Sequence, residues 1–434
     1  MKNLTGRQVE ITCLPLIQNI MRTIFFLLLL GFLCCKKEQI KPTEPTPIPE
    51  PKLKIVWRIP TLPDTTEYFS EPHTLVNGNP VFGTNFYLPS AFIQVRDKTD
   101  GSLKWKFTPT FSNTDGFSYG KIFAVGSKVM LSNWHEAYCI NGEEGYMEWG
   151  TNFRPQKTEW PAAVIGDQFY KIMYWGSKPK THTSSLLRTH YLSGQWDTLL
   201  TIHAKDSFFL NIKPPTLWVN PQGDSVLIIR DNNLRDNQAT SHEGRYDLVN
   251  LYAWNMRTRQ FEWVREDFED EGAFYYGQPV VEGNRLYLTL RQLICCVDLL
   301  TGQTLWKRQT EEYHHTSGLA IHDNILMATG NDHGMWGIDK NTGQTVWYND
   351  KVYGAIVNIT CFDGIAYGTS TGSGNLYAVN AATGQIIWAE QSPNRKGKTK
   401  GTSWGNSGVV IDPERRVLYI ADYHYLMCIE LPKP

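Results

Sequence analysis

Few residues in this chain have types and spacings that could do chemistry. Cys295 and Cys296 are adjacent, and an oxidised pair of neighbours would be a redox-active vicinal disulfide. Successive strand residues point to opposite faces, which disfavours that bridge on a regular strand. His314-His315 and Asp332-His333 lie 17 residues apart at the closest; two or three imidazoles with one carboxylate could hold Zn²⁺ or Cu²⁺. His135, His333 and His424 each stand six residues before Asn141, Asp339 and Glu430, a regularity that inheritance of a polar turn residue also explains. Glu266-Asp267-Phe268-Glu269-Asp270-Glu271 precedes Phe274-Tyr275-Tyr276, an acidic, aromatic rim better suited to a protein or peptide than to an anionic substrate. Glycine-rich phosphate cradles, zinc-protease helices and nucleophile elbows are absent from the sequence. Its Ser, His and Asp residues have no spacing that argues for a hydrolase.

Composition narrows the classes further. The chain has 434 residues, 41% hydrophobic, 13% aromatic and 20% charged, which describes a folded protein with ample core material. Its 42 basic and 43 acidic residues give a net charge of -1, so no basic surplus marks a nucleic-acid binder.

The first 52 residues read as address and tether. Ile24 to Leu33 is apolar apart from Gly31, too short for a membrane span of roughly 20 residues but suited to a secretory signal. Met21-Arg22 just before it forms a small basic start, and Met21 is a possible true initiator. The following Leu33-Cys34-Cys35-Lys36 resembles the lipobox of bacterial lipoproteins, with Cys35, after the small Cys34, as the lipidated residue. Residues 1–35 are then the leader, and the Pro-rich residues 36–52 an extended stalk. This places the protein in the cell envelope of a Gram-negative bacterium, lipid-anchored to the outer membrane on its periplasmic or its outer side. The alternative is an ordinary secretory signal with incidental cysteines.

The elements that must position everything else come from internal repeats. Leu376-Tyr377-Ala378-Val379-Asn380-Ala381-Ala382-Thr383-Gly384-Gln385-Ile386-Ile387-Trp388 recurs as Met335 to Trp347 and as Ile294 to Trp306. Weaker copies end at Trp105, Trp149 and Trp263, with Arg259 in place of the glycine in the last. A degenerate copy ends at Trp196, whose Gly194 is two residues away rather than four, and Trp57 has a terminal strand with nothing before it. Four short strands per unit, bounded by Gly, Asn and Asp turns, predict a β-propeller. The last unit, Ser407 to Glu430, lacks its Trp strand, and Trp57 supplies it. The expected fold is all-β, a single eight-bladed propeller over residues 53–434, closed by the amino-terminal strand. Trp57, Trp105, Trp149, Trp196, Trp263, Trp306, Trp347 and Trp388 are its expected docking residues. Cys296 shares a repeat slot with Ala253, Gly337, Ala378, Cys139 and Cys428, so the cysteines read as small core thiols.

The motif Ala-x-Asn/Asp-x-x-Thr-Gly-x-x-x-Trp resembles the tryptophan-docking repeat of the quinoprotein-like (PQQ-like) propellers, a superfamily that includes quinone-cofactor alcohol dehydrogenases and BamB-like outer-membrane lipoproteins. The BamB-like resemblance implies a non-enzymatic, monomeric scaffold without cofactor that binds a protein partner at the membrane. The dehydrogenase resemblance implies instead PQQ and Ca²⁺ acting on an alcohol or sugar, with a vicinal disulfide against the cofactor. A surface carbohydrate-binding or sensing module is a third possibility. The sequence region expected to meet a partner is the blade-4 insertion Asp231–Asp247, carrying Asn232, Asn233, Asn237, His242 and Arg245.

Overall fold

In the computed structural model the described residues are 53–432, apart from 61–69, 85–91, 109–121, 133–135, 154–156, 176–182, 204–207, 236–246, 269–277, 311–317, 394–403, 405–407 and a few single positions. The leader, the stalk and Cys35 therefore lie outside the described residues. Every element among the described residues is a strand, and the strands form eight antiparallel sheets. In seven of these the chain runs outward through consecutive strands. The eighth joins β31 (Val410–Asp412), β32 (Val417–Ala421) and β33 (Tyr425–Glu430) to β1 (Ile55–Pro60). Trp57 pairs with Cys428 across that junction. The amino-terminal strand thus completes the last blade, and the ring is an eight-bladed propeller.

Local sequence explains each layer. Second strands such as β28 (Ile365–Thr369) are buried along their whole length between neighbouring blades, and so read as unbroken apolar runs. Fourth strands alternate: in β30 (Ile386–Gln391) Ile387 faces water while Trp388 is buried. The turn before each fourth strand is set by its Asn or Asp. Asn380 Oδ1 accepts the amides of Ala382 and Thr383 at 3.1 and 3.0 Å, and the Gly384 amide donates to the Asn380 carbonyl at 2.8 Å. Side-chain capping of this kind is why Asn and Asp begin the motif.

Blade 4 differs, because its inner strand is split into β14 (Phe208–Ile212) and β15 (Thr216–Val219), both paired to the long β16 (Ser225–Arg235). Pro214-Pro215 falls in the gap, where missing N–H groups cannot continue a ladder.

The tryptophans sit in a repeated sandwich. Within its own blade Trp347 pairs with Gly337, Trp306 with Cys296, Trp149 with Cys139, Trp263 with Ala253 and Trp388 with Ala378. A Cβ on Gly337 would stand 2.1 Å from the Trp347 ring, which shows how tight this slot is. On the other face the indole lies against a glycine of the next blade: Trp57 on Gly101, Trp105 on Gly145, Trp149 on Gly194, Trp263 on Gly302, Trp306 on Gly343 and Trp347 on Gly384. These glycines have φ between 68° and 78°, and any side chain would enter the ring. The same six indoles donate to a backbone carbonyl of that next blade, at 2.6 to 3.2 Å. Trp388 is buried at the seam where β1 replaces a turn, in a cluster with Trp404, Leu418 and Ile429.

Trp196 departs from the expectation of eight equivalent docking residues. It is 45% exposed and pairs with Thr189, while Asp197, opposite Arg188, occupies the register that holds Trp elsewhere. The cause is the shortened Gly194-Gln195-Trp196 spacing, which moves the indole two positions toward the turn.

Truncating a docked indole should therefore cost far more than truncating Trp196. Trp105→Ala is expected to lower the unfolding free energy by about 3–5 kcal/mol, and Trp196→Ala by roughly 0.5 kcal/mol or less. Denaturant titration of both variants checks this, and equal losses would contradict the assignment.

Candidate functional site

The antiparallel topology puts the loops between second and third strands, and the connectors between blades, at one end of the ring. The glycine turns of the docking motif stand at the other end. The blade-4 insertion belongs to the first end, and the structure shortens it. Asp231–Arg235 continue β16, with Asn232 opposite Asn211 and Val249, and Asn233 opposite Leu210 and Leu248. The expected loop over Asp231–Asp247 is thus a strand extension as far as Arg235, because the ladder is paired on both sides. Asn237, His242 and Arg245 lie outside the described residues.

At the root of this extension is a buried polar group. Asp231 is fully buried and accepts hydrogen bonds from Asn250 Nδ2 at 2.9 Å and Tyr252 Oη at 2.7 Å. Burial and the Asp231 carboxylate push the Tyr252 phenol well above its usual range. Arg230 beside it is also buried, and desolvation pulls its guanidinium down to about 10. A second group spans blades 2 and 3. Tyr138 Oη donates to Glu136 Oε2 at 2.6 Å, and Lys171 Nζ lies 3.5 Å from the Glu136 carbonyl and 5.3 Å from the centre of the Phe153 ring. Lys171 has no exposed surface, and its ammonium is lowered to about 7 by desolvation, opposed by the Glu136 charge. The sequence reading missed Lys171. The signal was a lysine inside the apolar strand Phe169-Tyr170-Lys171-Ile172-Met173.

The residues singled out for chemistry do not assemble. Cys295 and Cys296 are both buried free thiols, and they face opposite ways. Cys295 packs with Leu286, Leu288 and Trp218 on the blade-4 side, and Cys296 with Trp336 and Leu326 on the blade-6 side. Burial pushes the Cys296 thiol up to about 11, far from a reactive thiolate. His135, His314, His315 and Asp332 lie outside the described residues, and of His333 the structure gives only its place in β25 (His333–Asp339). His424 is a turn residue whose amide donates to Asp422 Oδ1 at 2.8 Å. Among the described residues no three His, Cys, Asp or Glu side chains converge as a metal-binding set. In the acidic connector Phe268 is buried against Val249 and Leu251, with its amide on the Val249 carbonyl at 2.7 Å. That aromatic is core. A cavity of about 430 Å³ opens among the inner strands of blades 2 to 5, lined by residues including Phe123, Ile165, Pro215, Leu217 and Gln278, with no titratable side chain.

A vicinal disulfide against a quinone does not fit cysteines that face separate cores. The described residues likewise offer no converged carboxylate set for Ca²⁺. What they present is a rigid ring with buried charges at the roots of its loops.

Comparison with known proteins agrees with that architecture. Residues 251–433 match the family model described as outer membrane protein assembly factor BamB. BamB from Moraxella catarrhalis superposes with a TM-score of 0.56 at 15% identity, over 88% of this chain and 99% of that one. Sqt1 from Saccharomyces cerevisiae gives 0.59 at 10% identity, over 88% and 100%. The quinohemoprotein alcohol dehydrogenase from Comamonas testosteroni gives 0.56 at 10%, over 88% and 78%. At such identities the likeness is one of fold. No curated protein sequence matches the chain.

The buried ammonium has a measurable consequence. Between pH 7 and the ordinary lysine value of about 10.4, the unfolded chain carries a proton on Lys171 that the folded chain lacks. This contribution makes folding more favourable as pH rises, by up to about 1.4 kcal/mol per pH unit. Lys171→Met removes it. The stability of wild type relative to the variant should therefore climb from pH 7 to pH 10 in denaturant titrations; a constant difference would contradict the burial of this lysine.

Proposed function

We propose that this chain, a quinoprotein-like (PQQ-like) β-propeller, is a non-enzymatic scaffold held at the outer membrane by a lipid on Cys35, where it binds a protein partner in BamB-like outer-membrane protein assembly. The observation that carries the reading is the match of residues 251–433 to the BamB family model. The described residues add support of a chemical kind. Their polar clusters are buried and internally bonded, their cysteines face apart, and their inner cavity has no acid or base. A scaffold needs none of these groups free. It needs a stiff frame and variable loops at one end, and conserving the frame while varying the loops suits recognition.

The partner face is proposed to be the end that carries the blade-4 insertion, with Asn232, Asn233, Asn237, His242 and Arg245 on or beside it. The Pro-rich stalk would set the distance from the membrane, and a single propeller would act as a monomer.

The test is cross-linking of the lipidated protein in intact cells, followed by identification of what co-purifies. The reading predicts a component of the barrel-assembly machinery, lost on deletion of residues 236–246 and reduced at least about tenfold by Cys35→Ala, which abolishes the anchor. Recovery of a cytochrome or other electron acceptor, with thermal stabilisation by PQQ and Ca²⁺, would replace the scaffold with a dehydrogenase, because a ligand that binds only the folded state must raise its stability.

A further inference from the structure

We infer that the ring has one seam built to open, the one between blades 3 and 4. Six of the seams are closed by an indole that rests on a glycine turn and donates to the carbonyl three residues before that glycine. The seam between blades 7 and 8 has Trp388 buried in its core and is crossed by Arg416 on Asp363 and by Thr360 Oγ1 on the Val409 carbonyl. Between blades 3 and 4 both halves of the clasp are missing.

On the blade-3 side the docking register holds Asp197, opposite Arg188 where the other blades have a small residue, and the bulge that elsewhere adjoins the Trp pair is moved two pairs along, to Leu186/Leu187. Trp196 instead points outward beside Phe153, with ring centres 5.9 Å apart. Across the seam, the position of the receiving glycine is Arg259, which adopts φ 55°. A non-glycine residue there carries a Cβ into the place where an indole would lie, and holds an uncommon backbone conformation as well. The carbonyl that would accept an indole is that of Met256. In its place the Met256 thioether fills the gap, accepting a hydrogen bond from Tyr170 Oη at 3.8 Å. Among the described residues this weak O–H···S contact is the one cross-seam hydrogen bond at the turn end. Apolar packing of Ile172, Leu186, Leu227 and Trp254 holds the rest.

Two changes on opposite sides of one seam, each removing half of the same clasp, place the ring's lowest local stability there. Local opening follows the weakest cooperative contact. Blade 4 is also the blade whose β16 and β17 (Asp247–Asn255) carry the insertion, so opening at this seam frees the frame from which that segment is held.

Hydrogen exchange followed by mass spectrometry on the full-length protein in detergent tests this. Amides of β13 (Trp196–His203) and of the Asn255–Arg259 turn are expected to exchange at least tenfold faster than those of the matched β22 (Thr304–Gln309), β30 and their turns. The combined variant Asp197→Trp with Arg188→Ala and Arg259→Gly, which restores the indole, the small residue opposite it and the receiving glycine, should bring them to the common rate. Should that variant misfold, Trp306→Ala serves instead: it should raise exchange about tenfold in β22 and the Asn341–Gly343 turn alone. Equal exchange at all seams in the wild-type protein, or a folded combined variant with no added protection, overturns the inference.

Discussion

The interaction on which the structure depends is the indole held between two blades. It demands three things at once: a small residue opposite the Trp in its own blade, a glycine of positive φ in the next, and a carbonyl in line with the indole N–H. Trp347 shows all three, with Gly337 on one face, Gly384 on the other and the Ala381 carbonyl 3.0 Å from Nε1. A flat ring of this size buries roughly 150–250 Å², and six of the eight seams carry one in this full form. The clasp therefore turns eight sheets into a single cooperative object, and the repeat motif is its written form. The cysteines at 139, 296 and 428 belong to the same account, since each lies opposite a Trp where only a small side chain fits.

Much of this was legible in the sequence because the clasp uses residues with sharp preferences. Thr-Gly and Trp at fixed spacing locate the turns and fourth strands, and the unmatched Trp57 together with an incomplete last unit gives the closure. Trp196 was harder. Its position in the count suggested an eighth clasp, while its actual neighbours depend on a bulge that moves by two pairs, which no pattern of residue types specifies. The split inner strand of blade 4 was written in Pro214-Pro215, yet it is visible only once β16 is known to be long enough to pair with both halves.

The candidate site was far less legible. Adjacent cysteines look like a redox device until the strand alternation sends Cys295 and Cys296 into different cores. Buried charges such as Lys171, Arg230 and Asp231 carry no sequence motif, because their partners come from other strands or other blades. The same ring fold is seen in BamB, Sqt1 and a quinohemoprotein alcohol dehydrogenase, at 10 to 15% identity. Fold and activity are separable here. The match of residues 251–433 to the BamB family model is what supports the proposed reading of recognition.

Non-local closure by β1, through Trp57 on Gly101 and the Lys98 carbonyl, makes the propeller one cooperative unit. The most direct measurement is calorimetric unfolding of the full chain beside one from which residues 55–60 have been excised. The account predicts a single sharp transition in the first and a broadened, lower transition in the second, with blades 8 and 1 losing protection first. An excised chain that unfolds at the same temperature with the same sharpness would contradict it.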